Sequence, residues 1–317
     1  MSDGPSRACE HGKVECHETS LELPGPVDAR LTLAPLARGR FDPTFQRTAD
    51  GALWRTTRMP DGPATCRIVQ ATPWHARLTA WGPGAEQALA AAPALLGAQD
   101  DLSDFDPPHE LVRSAHRRHP GLRMLRTGRV LESLVPAILE QRVIVRTAHD
   151  AWRWLLLRHG TAAPGPAPEG MRVAPDAQGW LAVPSWDFHR AGVDPRRART
   201  VRECASVAAR LEEAATMPHA LARARLRLVP GVGVWTAAET AQRAFGDPDA
   251  ISVGDYHLAA QVGWALTGQR VDDDRMLELL EPFRPHRQRV VRLLLLSGAA
   301  RVPRRGPRLS VQDHRRN

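Results

Sequence analysis

A turn containing two glycines, set between two helical stretches, constrains the fold of this chain most. Residues 226–241 are LRLVPGVGVWTAAETA, and helical sequence lies on both sides of the turn. Apolar spacing predicts one helix over 218–228 and a second over 234–245, closed by Gly246. Glycine permits positive φ and carries no Cβ, so the segment predicts a tight helical hairpin.

This hairpin has two interpretations. Glycine pairs make ordinary corners between helices. The second helix also begins with uncovered N–H groups and the positive end of its dipole, which together bind anions such as a DNA phosphate. Under the second interpretation the binding residues are Pro230, Gly231, Val232, Gly233, Val234 and Thr236.

The charge of the chain favours an anionic partner. The 317 residues carry a formal charge of +8, and Lys13 is the only lysine among the basic residues. Nucleic acid is favoured over a membrane surface as that partner. No apolar run approaches the roughly 18 residues that span a bilayer, and the N-terminus lacks the apolar centre of a signal peptide. We therefore expect a cytoplasmic, nucleoid-associated protein.

The cysteines do not suggest a disulfide framework. The four positions are Cys9, Cys16, Cys66 and Cys204. The segment CEHGKVECH allows two interpretations, a metal site or a solvated polar tail, and we expect the tail. The candidate ligands of a metal there are Cys9, His11, Cys16 and His17.

The order of strand-like and helical segments predicts an α+β protein. Residues 1–20 are predicted to be a flexible tail. Residues 21–102 are predicted to form a small β-rich N-terminal domain. Its strand-like segments are ARLTLAPL, ALWRTTR, ATCRIVQ and HARLTAWG. Residues 103–300 form a mostly helical domain with a Pro/Gly-rich loop over 161–184, and residues 301–317 form a basic C-terminal tail.

An aspartate follows the hairpin by 22 residues. Asp255 lies in ISVGDYHLAAQVGWALTG, after Gly254 and before a helical run. Alone, it is typical of a helix N-cap. Together with the hairpin it forms a more specific pattern.

This pattern resembles the helix-hairpin-helix DNA glycosylases, most closely the bacterial 3-methyladenine DNA glycosylase II branch. The resemblance covers 100–300 well and 21–100 weakly. The matching segments are ESLVPAILEQRV (132–143), RAGVDPRRARTV (190–201), VPGVGVWTA (229–237) and GDY (254–256).

The resemblance implies a catalytic role for Asp255. In the family, an aspartate at this position faces C1′ of a nucleotide that has been flipped out of the duplex. Its negative charge stabilises the positive sugar that forms as the base leaves. The leading expectation is monofunctional removal of alkylated purines from duplex DNA. The alternatives are a glycosylase for deaminated or mismatched bases, and a damage-binding protein that does not cut.

The resemblance also implies what this chain lacks. Relatives that cleave the backbone use a lysine where Trp235 stands, so no lyase activity is expected. No cysteine follows Cys204, so the iron–sulfur cluster of some relatives is not expected. We expect no cofactor, apart from a possible alkali ion at the hairpin carbonyls. The protein is expected to be a monomer.

The substrate pocket implied by the resemblance has five candidates. Trp235, Tyr256 and Trp186 offer rings for stacking on an alkylated base, although tryptophans also serve as core residues. His286 and Glu239 stand where relatives often have aromatic residues, and Glu239 is also compatible with a solvated helix face.

Two further candidates lie within AILEQRV (137–143), in the turn that follows a helix. The turn resembles the family's intercalating loop, in which a side chain fills the gap left by the flipped base. Gln141 and Arg142 are the candidates. An exposed helical arginine is the alternative for Arg142.

Overall fold

A six-stranded antiparallel sheet lies in the N-terminal part of the chain. The structure, a computed structural model, describes residues 7–11 and 14–303. The strand order is β1-β2-β6-β5-β4-β3. The strands are β1 (Arg7–His11), β2 (Val14–Glu22), β3 (Phe45–Arg47), β4 (Leu53–Met59), β5 (Gly62–Thr72) and β6 (His75–Trp81).

Three short helices cover one face of the sheet. They are α1 (Ala29–Leu33), α2 (Ala85–Ala90) and α3 (Ala92–Leu95). Leu33, Ile68, Leu78 and Leu96 are almost completely buried between the helices and the sheet. The alternation of β5 and β6 therefore directs one apolar face to this core.

The rest of the described chain is mainly helical. Its helices are α4 (Glu110–Arg118), α5 (Val130–Leu139), α6 (Val145–His159), α7 (Ala177–Ala182), α8 (Ser185–Arg190), α9 (Pro195–Ser206), α10 (Ala208–Glu212), α11 (His219–Leu226), α12 (Val234–Ala244), α13 (Leu258–Thr267), α14 (Asp273–Leu280) and α15 (Arg287–Ser297). A small two-stranded ribbon joins β7 (Thr161–Ala162) to β8 (Arg172–Val173). None of the helices in the described ranges is long and apolar enough to cross a membrane.

Two helical cores lie on either side of the segment that joins α12 to α13. One lies around α5, α6, α9 and α12 and includes Leu134, Ile138 and Val201. The other lies around α4, α13, α14 and α15 and includes Met276 and Val290. The hairpin α11–α12 belongs to the first core, and α13 belongs to the second. Asp255 lies in the segment between α12 and α13, where the two cores meet.

Four arginine side chains bridge the sheet-containing part and the helical part. Each donates to an acceptor on the other part, and the distances run from 2.5 to 2.9 Å. The pairs are Arg38 with the Glu140 carboxylate, Arg55 with the Glu132 carboxylate, Arg243 with the Pro35 carbonyl and Arg292 with the Leu31 carbonyl. Burial lowers the pKa of Arg292 to about 10.

The α+β class is confirmed, and three local predictions differ from the structure. ARLTLAPL forms α1 rather than a strand, because Asp28 caps it by accepting from the N–H of Leu31 at 2.9 Å. The loop 161–184 contains β7, β8 and α7. The domain boundary near residue 102 stays a prediction.

The third difference concerns the predicted tail over residues 1–20. Residues 7–11 and 14–20 belong to β1 and β2, and β2 pairs with β6 through backbone hydrogen bonds. A strand held mainly by backbone pairing has no clear apolar alternation for the sequence to show. Cys16 is disulfide-bonded, which the spacing of the cysteines did not indicate, so its sulfur is not free to bind a metal. The side chains of Cys9 and His11 and residues 304–317 of the basic tail lie outside what the structure describes.

Candidate active site

The two hairpin glycines have different conformations. Gly231 has φ +90°, and a Cβ there would lie 2.2 Å from Oγ1 of Thr200 on α9. Gly233 has φ −88° and ψ −174°, which is ordinary extended backbone, and a Cβ there would meet no atom within 4 Å. The fold therefore requires glycine at 231, whereas nothing in the fold requires it at 233.

Gly233 is the N-cap of α12, and no side chain caps that helix. The first N–H groups of α12 therefore lack a side-chain acceptor, and the positive end of the helix dipole lies with them. Gly233 and Val234 are exposed to solvent. This end of α12 presents donors that an incoming anion can approach closely.

Gln141 donates two hydrogen bonds to the hairpin. Its Nε2 donates to the carbonyl of Gly231 at 3.0 Å and to Oγ1 of Thr236 at 2.8 Å. Thr236 is buried. The structure thus brings both residues to the hairpin, where their side chains hold the turn in place.

Arg142 follows at the tip of the loop between α5 and α6. It has φ +53°, in the left-handed region that non-glycine residues rarely adopt. Its side chain is exposed. The strained backbone turns this side chain outward beside the hairpin, so the exposed alternative for Arg142 fits, although on a loop rather than on a helix.

Three N–H donors surround the carboxylate of Asp255. Oδ1 accepts from the backbone N–H groups of His257 at 2.9 Å and Leu258 at 3.1 Å, where α13 begins. Oδ2 accepts from the indole Nε1 of Trp235 at 3.2 Å. The predicted cap interaction is present, and the carboxylate is also linked to α12. One helix therefore carries both the uncovered hairpin amides and the donor that orients Asp255.

Comparisons with known proteins give a sequence relative and several structures of similar fold. No model of a known protein family matches the sequence. A Mycobacterium tuberculosis protein named "Probable bifunctional transcriptional activator/DNA repair enzyme AlkA" is 28% identical over 287 residues, covering 81% of this chain and 54% of the relative. The chain thus spans about half the length of that curated relative.

Solved structures share the fold over almost their whole length. A 3-methyladenine DNA-glycosylase from Archaeoglobus fulgidus superposes with a TM-score of 0.73 at 18% identity, covering 88% of this chain and 98% of that one. An 8-oxoguanine glycosylase/lyase from Clostridium acetobutylicum, solved with double-stranded DNA, gives a TM-score of 0.66 at 12% identity and covers 89% and 97%. This chain has the helix-hairpin-helix DNA glycosylase fold. The resemblance found in the sequence is therefore confirmed.

Within this glycosylase fold, the two predicted rings nearest Asp255 differ in setting. Trp235 is half-buried and donates to Asp255, so it lies beside the carboxylate. Tyr256 is 79% exposed, and its ring meets the edge of the His257 ring at a centroid distance of 4.8 Å. Of the two, Tyr256 is the ring that a solvent-side partner reaches directly.

Glu239 is held by polar partners on its own helix and on the loop before Asp255. It is mostly buried, and Oε2 pairs with Arg243 at 2.7 Å, so it is not a solvated surface residue. Oε1 accepts from Oγ of Ser252 at 2.5 Å, and the Ser252 carbonyl accepts from the N–H of Asp255 at 3.2 Å. Glu239 therefore holds the loop that carries Asp255, and its carboxylate is occupied by these partners.

Ser252 is the residue that sequence reasoning missed. It is buried, and it also accepts from Nε2 of Gln242 at 2.9 Å. Its position three residues before Asp255 was the only available signal. Thr200, which limits the space at Gly231, lies within the RAGVDPRRARTV match, but no pattern distinguished it from its neighbours.

The structure buries His286, which the resemblance places in the pocket. His286 is only 4% exposed. Its Nε2 lies 2.8 Å from Oδ1 of Asp104, and its Nδ1 accepts from Nε of Arg289 at 3.3 Å. The ring also meets the edge of Phe105. Its hydrogen bond lowers the pKa of Asp104. These contacts pin the segment before α4 onto the start of α15, so His286 has a structural role.

Trp186 lies on α8 and is 62% exposed. Among the described residues, no hydrogen bond or ring pair joins Trp186 to Asp255, Trp235 or Tyr256. A cavity of about 510 Å³ lies nearby between α8 and α9. It is lined by Leu181, Phe188, Val193, Arg199 and Arg202, among others, and by none of the predicted site residues. The structure therefore does not join Trp186 to the Asp255 site.

Proposed function

We propose that this protein is a monofunctional DNA glycosylase that removes alkylated purines of the 3-methyladenine type from duplex DNA. One observation carries the proposal: α12 presents free N–H groups at the hairpin and, through Trp235, fixes the carboxylate of Asp255. A phosphate binder and an oriented carboxylate on one rigid helix suit a nucleotide that is bound through its backbone and attacked at its sugar.

The roles follow from the contacts. The amides at Gly233 and Val234 hold a phosphate without reading sequence. The damaged nucleotide leaves the stack so that its sugar reaches Asp255. As the bond between C1′ and the base nitrogen breaks, the base takes the bonding electrons and the sugar becomes positive. The Asp255 carboxylate stabilises that charge, and water then adds to C1′ and loses a proton.

The alkylated purine is the preferred substrate because it is cationic. Departure of a cationic base releases a neutral molecule, so no acid needs to protonate it first. Tyr256 supplies an exposed electron-rich face near the carboxylate, which favours stacking with such a base. Arg142, turned outward by its φ of +53°, is the candidate side chain for the gap in the duplex.

The proposed product is an intact abasic strand. A lyase step needs an amine that attacks C1′, and Trp235 occupies the position where related enzymes carry lysine. Lys13 is the only lysine of the chain. The proposed enzyme uses no iron–sulfur cluster. An alkali ion at the hairpin carbonyls would share the Gly231 oxygen with Gln141.

The proposed partner is double-stranded DNA with damaged bases, bound by a monomer associated with the chromosome in the cytoplasm. The net charge of +8 supports an anionic partner. The Clostridium acetobutylicum neighbour was solved with double-stranded DNA.

The test is to incubate the protein with methylated duplex DNA and, separately, with duplexes containing hypoxanthine or a mismatch. The released bases are then identified. We expect 3-methyladenine and 7-methylguanine from the first duplex. Release only from the second group would support the glycosylase for deaminated or mismatched bases instead.

Asp255→Asn separates catalysis from binding. The variant keeps the side chain's size but loses its charge, so base release should fall by on the order of a hundredfold or more while duplex affinity stays similar. Asp274→Asn is the control, because it removes an exposed carboxylate from α14. Tight binding of damaged DNA without release by the wild-type protein would favour a non-cutting damage binder.

A further inference from the structure

An exposed phenylalanine holds two arginines on the surface of the protein. Phe41 is 64% exposed. The guanidinium carbon of Arg40 lies 5.3 Å from the centroid of its ring, and that of Arg153 lies 5.5 Å from the same centroid. Arg40 and Arg153 are exposed as well. We call these three residues the Phe41 clamp.

The charges of the clamp are not neutralised by the protein. Among the described residues, neither guanidinium has an ion pair or a hydrogen bond to an acceptor. Two like charges held against one ring repel each other, and a bound anion would relieve that repulsion. Contact with the ring also limits the motion of both side chains, so less entropy is lost when they bind.

Exposed arginines follow Gln141 along the loop and α6 to the clamp. Gln141 bonds the hairpin, and Arg142 and Arg146 follow it, both exposed. From Val145, the first residue of α6, to Arg153 the helix rises about 12 Å at 1.5 Å per residue. The exposed Asp150 lies 4.0 Å from Arg146.

The turn that carries Phe41 is fixed against the same helix. A Cβ at Gly39 would lie 2.9 Å from Nδ1 of His149, which is one turn before Arg153 on α6. The backbone of the turn therefore packs directly on α6. The clamp is thus held on ordered elements and keeps its position relative to the hairpin.

We propose that the Phe41 clamp is a second phosphate-binding site for duplex DNA, separate from the hairpin. The rise of about 12 Å from the start of α6 to Arg153 corresponds to three or four base-pair steps of about 3.4 Å, so on a duplex that follows α6 the clamp would contact the backbone beyond the lesion. Guanidinium groups match phosphate oxygens well. The partner rests on the proposed function, and continuity with the hairpin favours DNA over an acidic protein.

The test compares Arg40→Gln/Arg153→Gln with Arg77→Gln. Arg77 is exposed on β6, outside the clamp. Affinity for a long undamaged duplex is measured by fluorescence anisotropy between 50 and 200 mM salt. Losing two phosphate contacts should lower the salt slope by about 1.8, so the change in Kd over this range shrinks about twelvefold. The control should keep the wild-type slope.

Duplex length and Phe41 give two further readouts. On a duplex too short to reach the clamp, the double variant should bind as the wild type does. Phe41→Ala keeps both charges but frees them, so it should weaken long-duplex binding less than the double variant. Circular dichroism verifies that each variant is folded.

Three results would overturn the proposal. They are an unchanged salt slope of the double variant on the long duplex, an equal drop of the salt slope in Arg77→Gln, or an equal loss of the double variant's affinity on the short duplex. An unchanged slope would leave an acidic protein as the alternative partner. Base release from a short methylated duplex is measured in parallel. If the wild type releases no base but the slopes behave as expected, the proposed activity fails and the clamp stands.

Discussion

Alanine at the two hairpin glycines should change two different properties, stability at Gly231 and DNA affinity at Gly233. Gly231 has φ +90°, and its new Cβ would meet Oγ1 of Thr200, a buried residue, at 2.2 Å. Left-handed backbone costs an alanine about 1–2 kcal/mol, and crowding of this kind costs about 1–3 kcal/mol. Gly231→Ala should therefore lower the free energy of unfolding by about 2–5 kcal/mol.

Gly233→Ala should leave the fold nearly unchanged. Its φ of −88° suits any residue, and the Cβ has no neighbour within 4 Å. Loss of unfolded-state entropy stabilises by about 0.4–1 kcal/mol, and the poorer N-cap offsets much of this gain. The methyl group would nevertheless stand where a phosphate approaches the amides.

The cost to DNA binding follows from the hydrogen bonds at risk. A bond to a charged group is worth about 1.5–3 kcal/mol, so losing one raises Kd by about tenfold to a hundredfold. Thermal unfolding and anisotropy with an undamaged duplex measure the two effects separately. If Gly233→Ala binds duplex as the wild type does, the hairpin is a structural corner and the phosphate role is refuted. If Gly231→Ala melts as the wild type does, the steric argument is refuted.

Three further predictions follow from the contacts. Trp235→Phe removes the indole donor to Asp255, so kcat should fall about tenfold while affinity for undamaged duplex stays constant; an equal loss in both would contradict an orienting role. His286→Asn should lower the free energy of unfolding by about 1–3 kcal/mol without changing which bases are released, and a changed base preference would return His286 to the pocket. Burial raises the pKa of Cys66 to about 11 and that of Cys204 to about 12, so maleimide at pH 8 should label neither thiol until the protein is denatured, and rapid labelling of the native protein would show that they are accessible.

The sequence was most informative where a pattern is local. Turn residues and alternation located β4, β5 and β6 within a few residues, and apolar spacing located both hairpin helices. The cap interaction of Asp255 was also predicted, because a short polar side chain before a helical run bonds the nearest amides.

The sequence was less informative where distant segments decide the role of a residue. Glu239 and Ser252 are 13 residues apart, and His286 and Asp104 are 182 residues apart. No local pattern signals such pairs. Glu239 and His286 were assigned to the pocket because relatives have aromatic residues there, but a charged or titratable side chain at the same position finds polar partners instead.

The arginines that bridge the sheet and the helices bear on how the molecule unfolds. Arg38 and Arg55 supply the guanidiniums that Glu140 and Glu132 accept from, and both arginines are buried. Removing the residues before α4 would break both of these ion pairs and uncover the surface on which they lie. We therefore expect the two parts to unfold together. Heat should melt both halves in one cooperative transition, with equal calorimetric and van't Hoff enthalpies.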